Sequence, residues 1–280
     1  MNQDQVTPAA DPGSRNLLTR VVVAVVLAPL ALVIAWAGGP LWIGLVAVVT
    51  IGLFAEWLTI VGAAQETWTV AAGILALAVS GLCLALGRSD YALIVLVIGL
   101  VAIVALARRQ RLWSAIGFCY AAAAELASAL VRLDGAYGFV ALIFVLLVVW
   151  AADSGGYFAG RAIGGPKLWP RVSPKKTWAG AIGGFIGSLI VATGFAAFGV
   201  GKVVPLLLLG AVLSIASQLG DLFESAVKRR FGVKDSSQII PGHGGLLDRL
   251  DGFVAAIVLA ALFGLLRGGA DGIGHALMVW

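Results

Sequence analysis

The sequence predicts an all-α, polytopic membrane protein of about nine transmembrane helices with its N-terminus in the cytoplasm. Three observations carry this. Apolar runs near 20 residues recur from end to end of the 280-residue chain, the length at which a helix spans the hydrocarbon core. Only 12% of the residues are Asp, Glu, Lys or Arg, against a quarter in ordinary soluble domains. The basic residues also divide unevenly between alternate connections.

The spans fall near 17–37, 41–61, 68–86, 91–107, 113–131, 137–152, 179–198, 203–219 and 253–267. Residues 1–16, MNQDQVTPAADPGSRN, are polar and carry Pro and Gly, so they read as a disordered tail. The apolar run behind Arg15 and Arg20 is too long for a signal-peptide core and reads as a retained first span. Trp36, Trp42, Trp57, Trp68, Trp113, Trp150 and Trp178 stand near span ends, as an interfacial aromatic belt does. With the N-terminus inside, 15 of the 19 Lys and Arg fall in cytoplasmic segments, and only Arg88, Arg132, Lys202 and Arg267 lie on the other side. An extra or missing span in the first half would invert the later loops and spoil this split. The net charge of +5 is therefore one-sided and suits a surface facing anionic head groups. No aromatic–basic groove suggests nucleic acid. Cys83 and Cys119 lie inside apolar runs and read as small hydrophobes, with no disulfide framework.

The chain divides into N-terminal transmembrane helices at 17–152, a catalytic transmembrane region at 153–267 and a C-terminal tail at 268–280. Most connections are short. Two, 153–178 and 220–252, are long, cytoplasmic, and rich in charge and glycine, which is where function concentrates. No internal repeat or inverted pair of broken helices is visible.

In the first long loop Asp153 follows directly on an apolar span, where a carboxylate needs a partner. Gly155, Gly156, Gly160, Gly164 and Gly165 allow backbone N–H groups to approach an anion. Arg161, Lys167, Arg171, Lys175 and Lys176 add positive charge, and SPKKT (Ser173–Thr177) sets two hydroxyls beside two lysines, a combination suited to phosphate oxygens. The same lysines equally serve topology. The glycines are not a Walker A loop, because Pro166 follows Gly165 where that motif needs Lys.

The second long loop begins SQLGDLFESAVKRR. Asp221 and Glu224 share a helix face, and Lys228, four residues past Glu224, is its natural ion-pair partner. Asp221 at the membrane edge has no such explanation. Further on comes IIPGHGGLLDRLDG, with His243 between glycines and Asp248 and Asp251 at i, i+3 on entry to the last span. Acids favour helix N-termini, which accounts for one of them. Two carboxylates can share a site with Asp221 only around something positive. Hard oxygen ligands without Cys point to Mg²⁺ rather than Zn²⁺, and Mg²⁺ among carboxylates beside basic residues is a layout for phosphate chemistry. Glu56 and Glu125, within apolar runs, are functional candidates by location. Gly180, Gly183, Gly184 and Gly187 form small-xxx-small patterns explained by close helix packing.

The run SAVKR from Ser225, then Lys234–Asp235, then IPGHGG from Ile240 and DRLD from Asp248 resembles the signature of the phosphatidate cytidylyltransferase (CDP-diacylglycerol synthase) family. SQLGD, ADSGGYFAGR, VSPKKTW and FAEW around Glu56 are also similar to that family, and the resemblance covers roughly 17–267. Family members often carry Glu or Gln two residues after the SPKKT threonine, whereas Ala179 stands here. The resemblance implies an Mg²⁺-dependent nucleotidyltransferase of the cell inner membrane, joining CTP and phosphatidate into CDP-diacylglycerol and pyrophosphate in phospholipid biosynthesis. It implies Asp221 and Asp248 as metal holders, a second, K⁺-like ion, and a homodimer. It adds Lys234 and His243 to the catalytic candidates. Substrate contacts would come from Ser173, Lys175, Lys176, Thr177, Lys228, Arg229, Asp235, Gly244, Gly245, Arg249, Asp251 and Asp153. Two other readings stand beside it: another membrane CTP-dependent lipid enzyme, such as a polyprenol or phytol kinase, and an ion-coupled transporter using Glu56, Glu125 and Asp153.

Overall fold

The computed structural model describes residues 12–237, 244–269 and 272–280, with side chains from residue 25. Among the described residues ten helices follow one another: α1 Pro12–Ala37, α2 Gly39–Ile60, α3 Thr67–Ala85, α4 Ser89–Leu106, α5 Arg111–Leu133, α6 Gly138–Ile163, α7 Trp178–Ala197, α8 Val203–Arg230, α9 Leu247–Gly268 and α10 Ile273–Met278. Among the described residues eight of them, α2 to α9, are long and apolar enough to cross a bilayer, and α1 adds the apolar stretch Val25–Ala37. The chain is an all-α polytopic membrane protein. Its large exposed Leu, Ile and Val side chains, such as Ile98 and Leu266, suit a lipid-facing surface.

The structure departs from the sequence reading in four places. The helices outrun the apolar spans: α6 continues to Ile163, so Asp153 is a helical residue, and α8 continues to Arg230. Polar sequence does not stop a helix when its charges pair along one face, and the Glu224–Lys228 ion pair, i to i+4, does this in α8. The long connections shrink accordingly to 164–177 and 231–246. The first of these contains a small antiparallel hairpin, β1 Lys167–Trp169 and β2 Ser173–Thr177, so the chain is not wholly helical. The C-terminal segment 268–280 carries a further helix, α10, which packs its Ile273, Leu277 and Met278 into the bundle core. Trp42 and Trp57 are core side chains rather than belt residues, whereas Trp36, Trp68, Trp150 and Trp178 are exposed.

Trp57 ties three helices together. Its ring stacks on Tyr120 of α5 at 5.6 Å and Phe223 of α8 at 6.1 Å, while its indole N–H donates to Trp113 O at 2.8 Å. Gly117 makes room for it: a Cβ there would stand 2.1 Å from Trp57 Cδ1. α6 and α7 meet almost backbone to backbone. A Cβ on Gly184 would lie 2.4 Å from Ala152 O, and one on Gly187 2.8 Å from Ala151 O. The small-residue pattern is thus a packing surface: Gly156 and Gly160 of α6 meet Gly180 in the first turn of α7, and Ala152 beside Asp153 meets Gly184. α6 ends where Gly164 and Gly165 take φ of +67° and +87°, which a side chain would resist, and the chain turns into the hairpin.

Candidate active site

The ends of α6, α7, α8 and α9 surround a cavity of about 740 Å³. α6 contributes Asp153, Tyr157 and Arg161; the hairpin contributes Lys175, Lys176 and Thr177; α8 contributes Gln218, Asp221, Glu224, Ser225 and Lys228; α9 contributes Asp248, Arg249 and Asp251. Five acids and five bases therefore line one space. Each is there for a local reason. Thr177 caps α7, its hydroxyl accepting from Gly180 N at 3.1 Å, so the SPKKT strand runs directly into a helix start. The i, i+3 spacing of Asp221 with Glu224, and of Asp248 with Asp251, turns each pair to the cavity side of its helix.

The charges are paired across elements. Lys176 of β2 forms an ion pair with Asp221 of α8. Asp221 Oδ1 also accepts from Ser225 Oγ at 3.4 Å. Lys228 Nζ stands between Glu224 at 2.7 Å and Asp248 at 2.6 Å. The expected Glu224–Lys228 pair is thus present, and Asp248 extends it into α9. Asp248 Oδ2 accepts from Ser236 N, Ser236 Oγ and Gly245 N at 3.1, 3.0 and 3.1 Å. Asp248 Oδ1 accepts from Lys228 Nζ at 2.6 Å. Glu224 Oε1 is buried without a hydrogen-bond partner among the described residues.

This donor set has the chemistry of a hard divalent cation: Asp153, Asp221, Asp248 and Asp251 offer oxygen only, around one cavity. As the side chains stand, no three acids, histidines or cysteines among the described residues are grouped at ligand spacing. Lys176 and Lys228 supply the positive charge instead.

Of the residues singled out in the sequence, Asp153, Lys175, Lys176, Thr177, Asp221, Lys228, Asp248, Arg249 and Asp251 line the cavity. Ser173, Arg229, Lys234 and Asp235 are not among its lining residues. Arg229 instead donates to Val233 O at 3.3 Å and helps end α8, while Lys234 and Asp235 are exposed. Gly244 and Gly245 sit behind Asp248: a Cβ on Gly244 would lie 3.3 Å from Asp248 Oδ2, and one on Gly245 1.8 Å from Ser236 Oγ. His243 lies outside the described residues. Tyr157 was not singled out by the sequence, since an aromatic near a span end reads as interfacial. Glu125, fully buried, accepts from Thr50 Oγ1 at 3.3 Å, away from the cavity lining.

Fold and site together define an integral membrane protein with a charged cavity at the end of its helical bundle. A family model described as the cytidylyltransferase family matches residues 18–266. Proteins named phosphatidate cytidylyltransferase are similar to the chain. That of Brucella suis biovar 1 (strain 1330) is 44% identical over 255 residues, 89% of this chain and 93% of the relative. That of Haemophilus influenzae is 48% identical over 136 residues, 46% of this chain and 47% of its own length. That of Bacillus subtilis (strain 168) is 47% identical over 120 residues, 42% and 45% of the two chains. The chain belongs to the cytidylyltransferase family.

Proposed function

We propose that the protein transfers the cytidylyl group of CTP to phosphatidate, giving CDP-diacylglycerol and pyrophosphate in phospholipid biosynthesis. The observation that carries this reading is the cavity of five acids and five bases at the bundle end. The similarity of 89% of the chain to a named phosphatidate cytidylyltransferase gives it its substrates. A phosphate oxygen of the lipid attacks the α-phosphorus of CTP. The new O–P bond forms as the bond to the oxygen bridging the α- and β-phosphorus atoms breaks, and that electron pair leaves with pyrophosphate. The nucleophile is already anionic, so positioning and charge compensation carry the reaction rather than general-base help.

Lys175, Lys176, Arg161 and Arg249 are the cavity bases we assign to phosphate oxygens. Asp221 and Asp248 are the residues we assign to Mg²⁺, with Asp153 and Asp251 beside them; the gathering of these four oxygen-only side chains around one cavity supports this. Mg²⁺ there supplies charge neutralisation for the triphosphate. Either acid would exchange its lysine for the metal, freeing Lys176 or Lys228 for phosphate. A second, K⁺-like ion, His243 and Lys234 near the nucleotide, and a homodimer complete the reading. The cavity faces the cytoplasm in this assignment, because its hairpin and the 231–246 connection belong to the Lys- and Arg-rich side. CTP then arrives from water and the lipid from the cell inner membrane.

The test is direct. Detergent-purified protein receives CTP, Mg²⁺ and phosphatidates of several acyl compositions. CDP-diacylglycerol and pyrophosphate should appear in equal amounts and cease with EDTA. No product from any composition overturns the reading.

A further inference from the structure

Glu56 belongs to α2, outside the cavity lining, yet both of its carboxylate oxygens are fully engaged. It is 1% exposed and accepts four hydrogen bonds. Oε1 accepts from Ser237 Oγ at 2.5 Å and Leu246 N at 2.8 Å; Oε2 accepts from Ser236 Oγ at 3.0 Å and Leu247 N at 2.7 Å. Its donors come in two pairs, Ser236 and Ser237 shortly after α8, and Leu246 and Leu247 at the start of α9.

The second pair has a particular meaning. Leu246 and Leu247 are the N-cap and first residue of α9, and α9 has no side-chain cap of its own. The first N–H groups of a helix lack intrahelical acceptors and carry its positive pole. Glu56 therefore caps α9 from another helix. The fit is close on every side: a Cβ on Gly245 would stand 2.8 Å from Glu56 Oε2, and one on Gly52 of α2 would stand 2.9 Å from Leu246 Cδ2.

The clamp reaches the cavity through Ser236. Its hydroxyl lies 3.0 Å from both Glu56 Oε2 and Asp248 Oδ2, and its N–H donates to Asp248. A hydroxyl has one proton, so the two carboxylates share it. Whatever holds Ser236, Gly245 and the start of α9 also holds Asp248, Arg249 and Asp251.

We propose that Glu56 is a positioning residue for cytidylyl transfer: it clamps both limbs of the 231–246 connection and caps α9, so setting where Asp248 and its neighbours enter the cavity. This rests on the function proposed above.

The experiment separates the clamp from the chemistry. Glu56→Gln keeps the length but replaces one acceptor oxygen with a donor amide facing N–H and O–H donors. Hydrogen–deuterium exchange of the detergent-purified protein, without substrates, should speed up in peptides covering 236–247 while α3 and α4 keep wild-type protection. Turnover per folded molecule should fall about 10- to 100-fold, the range for partners that orient a metal ligand. The Mg²⁺ concentration for half-maximal rate should rise, which simple loss of folded protein would not produce. Ser236→Ala, which leaves the α9 cap intact, is the second variant; it should speed exchange at 236–237 and lower turnover less. Unchanged exchange in both variants overturns the clamp. Raised exchange with turnover and Mg²⁺ dependence within twofold of wild type overturns the positioning role. A wild-type protein that makes no CDP-diacylglycerol defeats the function reading instead, and the exchange result still decides the clamp.

Discussion

The two ends of the bundle use the same residue types to opposite effect. At the end away from the cavity, Asp134 accepts from the backbone N–H groups of Ala136, Tyr137 and His275 at 3.0, 2.9 and 2.7 Å. Arg132 donates to the last carbonyls of α1, Ala35 O at 2.6 Å and Trp36 O at 2.8 Å, and Arg267 donates to Ala276 O. These three charges are consumed by backbone, and what they achieve is joining elements: α10 to the α5–α6 turn and to α9, α1 to α5. At the cavity end, some 39 Å away along the 26 residues of α6, charges meet other side chains across open space. Side-chain partners can be exchanged for a ligand; backbone partners cannot without unfolding a turn. Glu56 combines the two, a carboxylate held partly by backbone as at the far end but placed behind the cavity.

That contrast can be broken by mutation. The largest effect is expected from Asp221→Asn and Asp248→Asn, each lowering turnover by about 10²- to 10³-fold or more, the scale for losing one group that stabilises transition-state charge. Folding and membrane insertion should survive. Near-normal rates of CDP-diacylglycerol formation would remove that residue from the site. Next comes Gly184→Ala, which drives a methyl into Ala152 O and must part α6 from α7. Overpacking of this kind costs about 1–3 kcal/mol. A lower unfolding temperature should accompany reduced activity, since Asp153 adjoins Ala152.

Asp134→Asn should do the reverse of Asp221→Asn, lowering stability by about 1–3 kcal/mol while the folded fraction keeps its turnover. It also carries a pH signature. Burial pushes the Asp134 carboxyl up, but the N–H groups of Tyr137, His275 and Ala136 outweigh it and hold it below the ordinary value. A depressed carboxylate stabilises above its unfolded pKa and loses that contribution as pH falls through the folded value. The gap in unfolding temperature between wild type and Asp134→Asn should therefore be full at neutral pH and close on acidification below about pH 4. A gap that widens in acid would contradict the bonding described. The smallest effect belongs to Glu66→Gln. Burial raises that carboxyl, but the N–H groups of Arg109 and Arg108 with Thr69 together lower it overall, at a partly exposed loop on the cavity end. It should cost about 1 kcal/mol or less. A tenfold loss of turnover there would mean that the whole cavity end, not the cavity, is tuned for chemistry.

Sequence alone determined a good deal: apolar runs locate the helices, because a bilayer demands a fixed apolar length, and the spacing of Asp221, Glu224, Asp248 and Asp251 places them on helix faces. The motif stretches carried the family. What sequence could not reach was partnership. Lys228 reads from spacing as the partner of Glu224, and only the approach of α8 to α9 adds Asp248. The spans look finished at 152 and 219, but helices stop where backbone partners run out, not where hydropathy falls. Glu56 looked like an isolated acid in an apolar run; its donor Leu247 is 191 residues away. Hydropathy and helical spacing are properties of neighbours along the chain, whereas a cap supplied by one helix to another exists only once both have packed, so tertiary structure alone decided it.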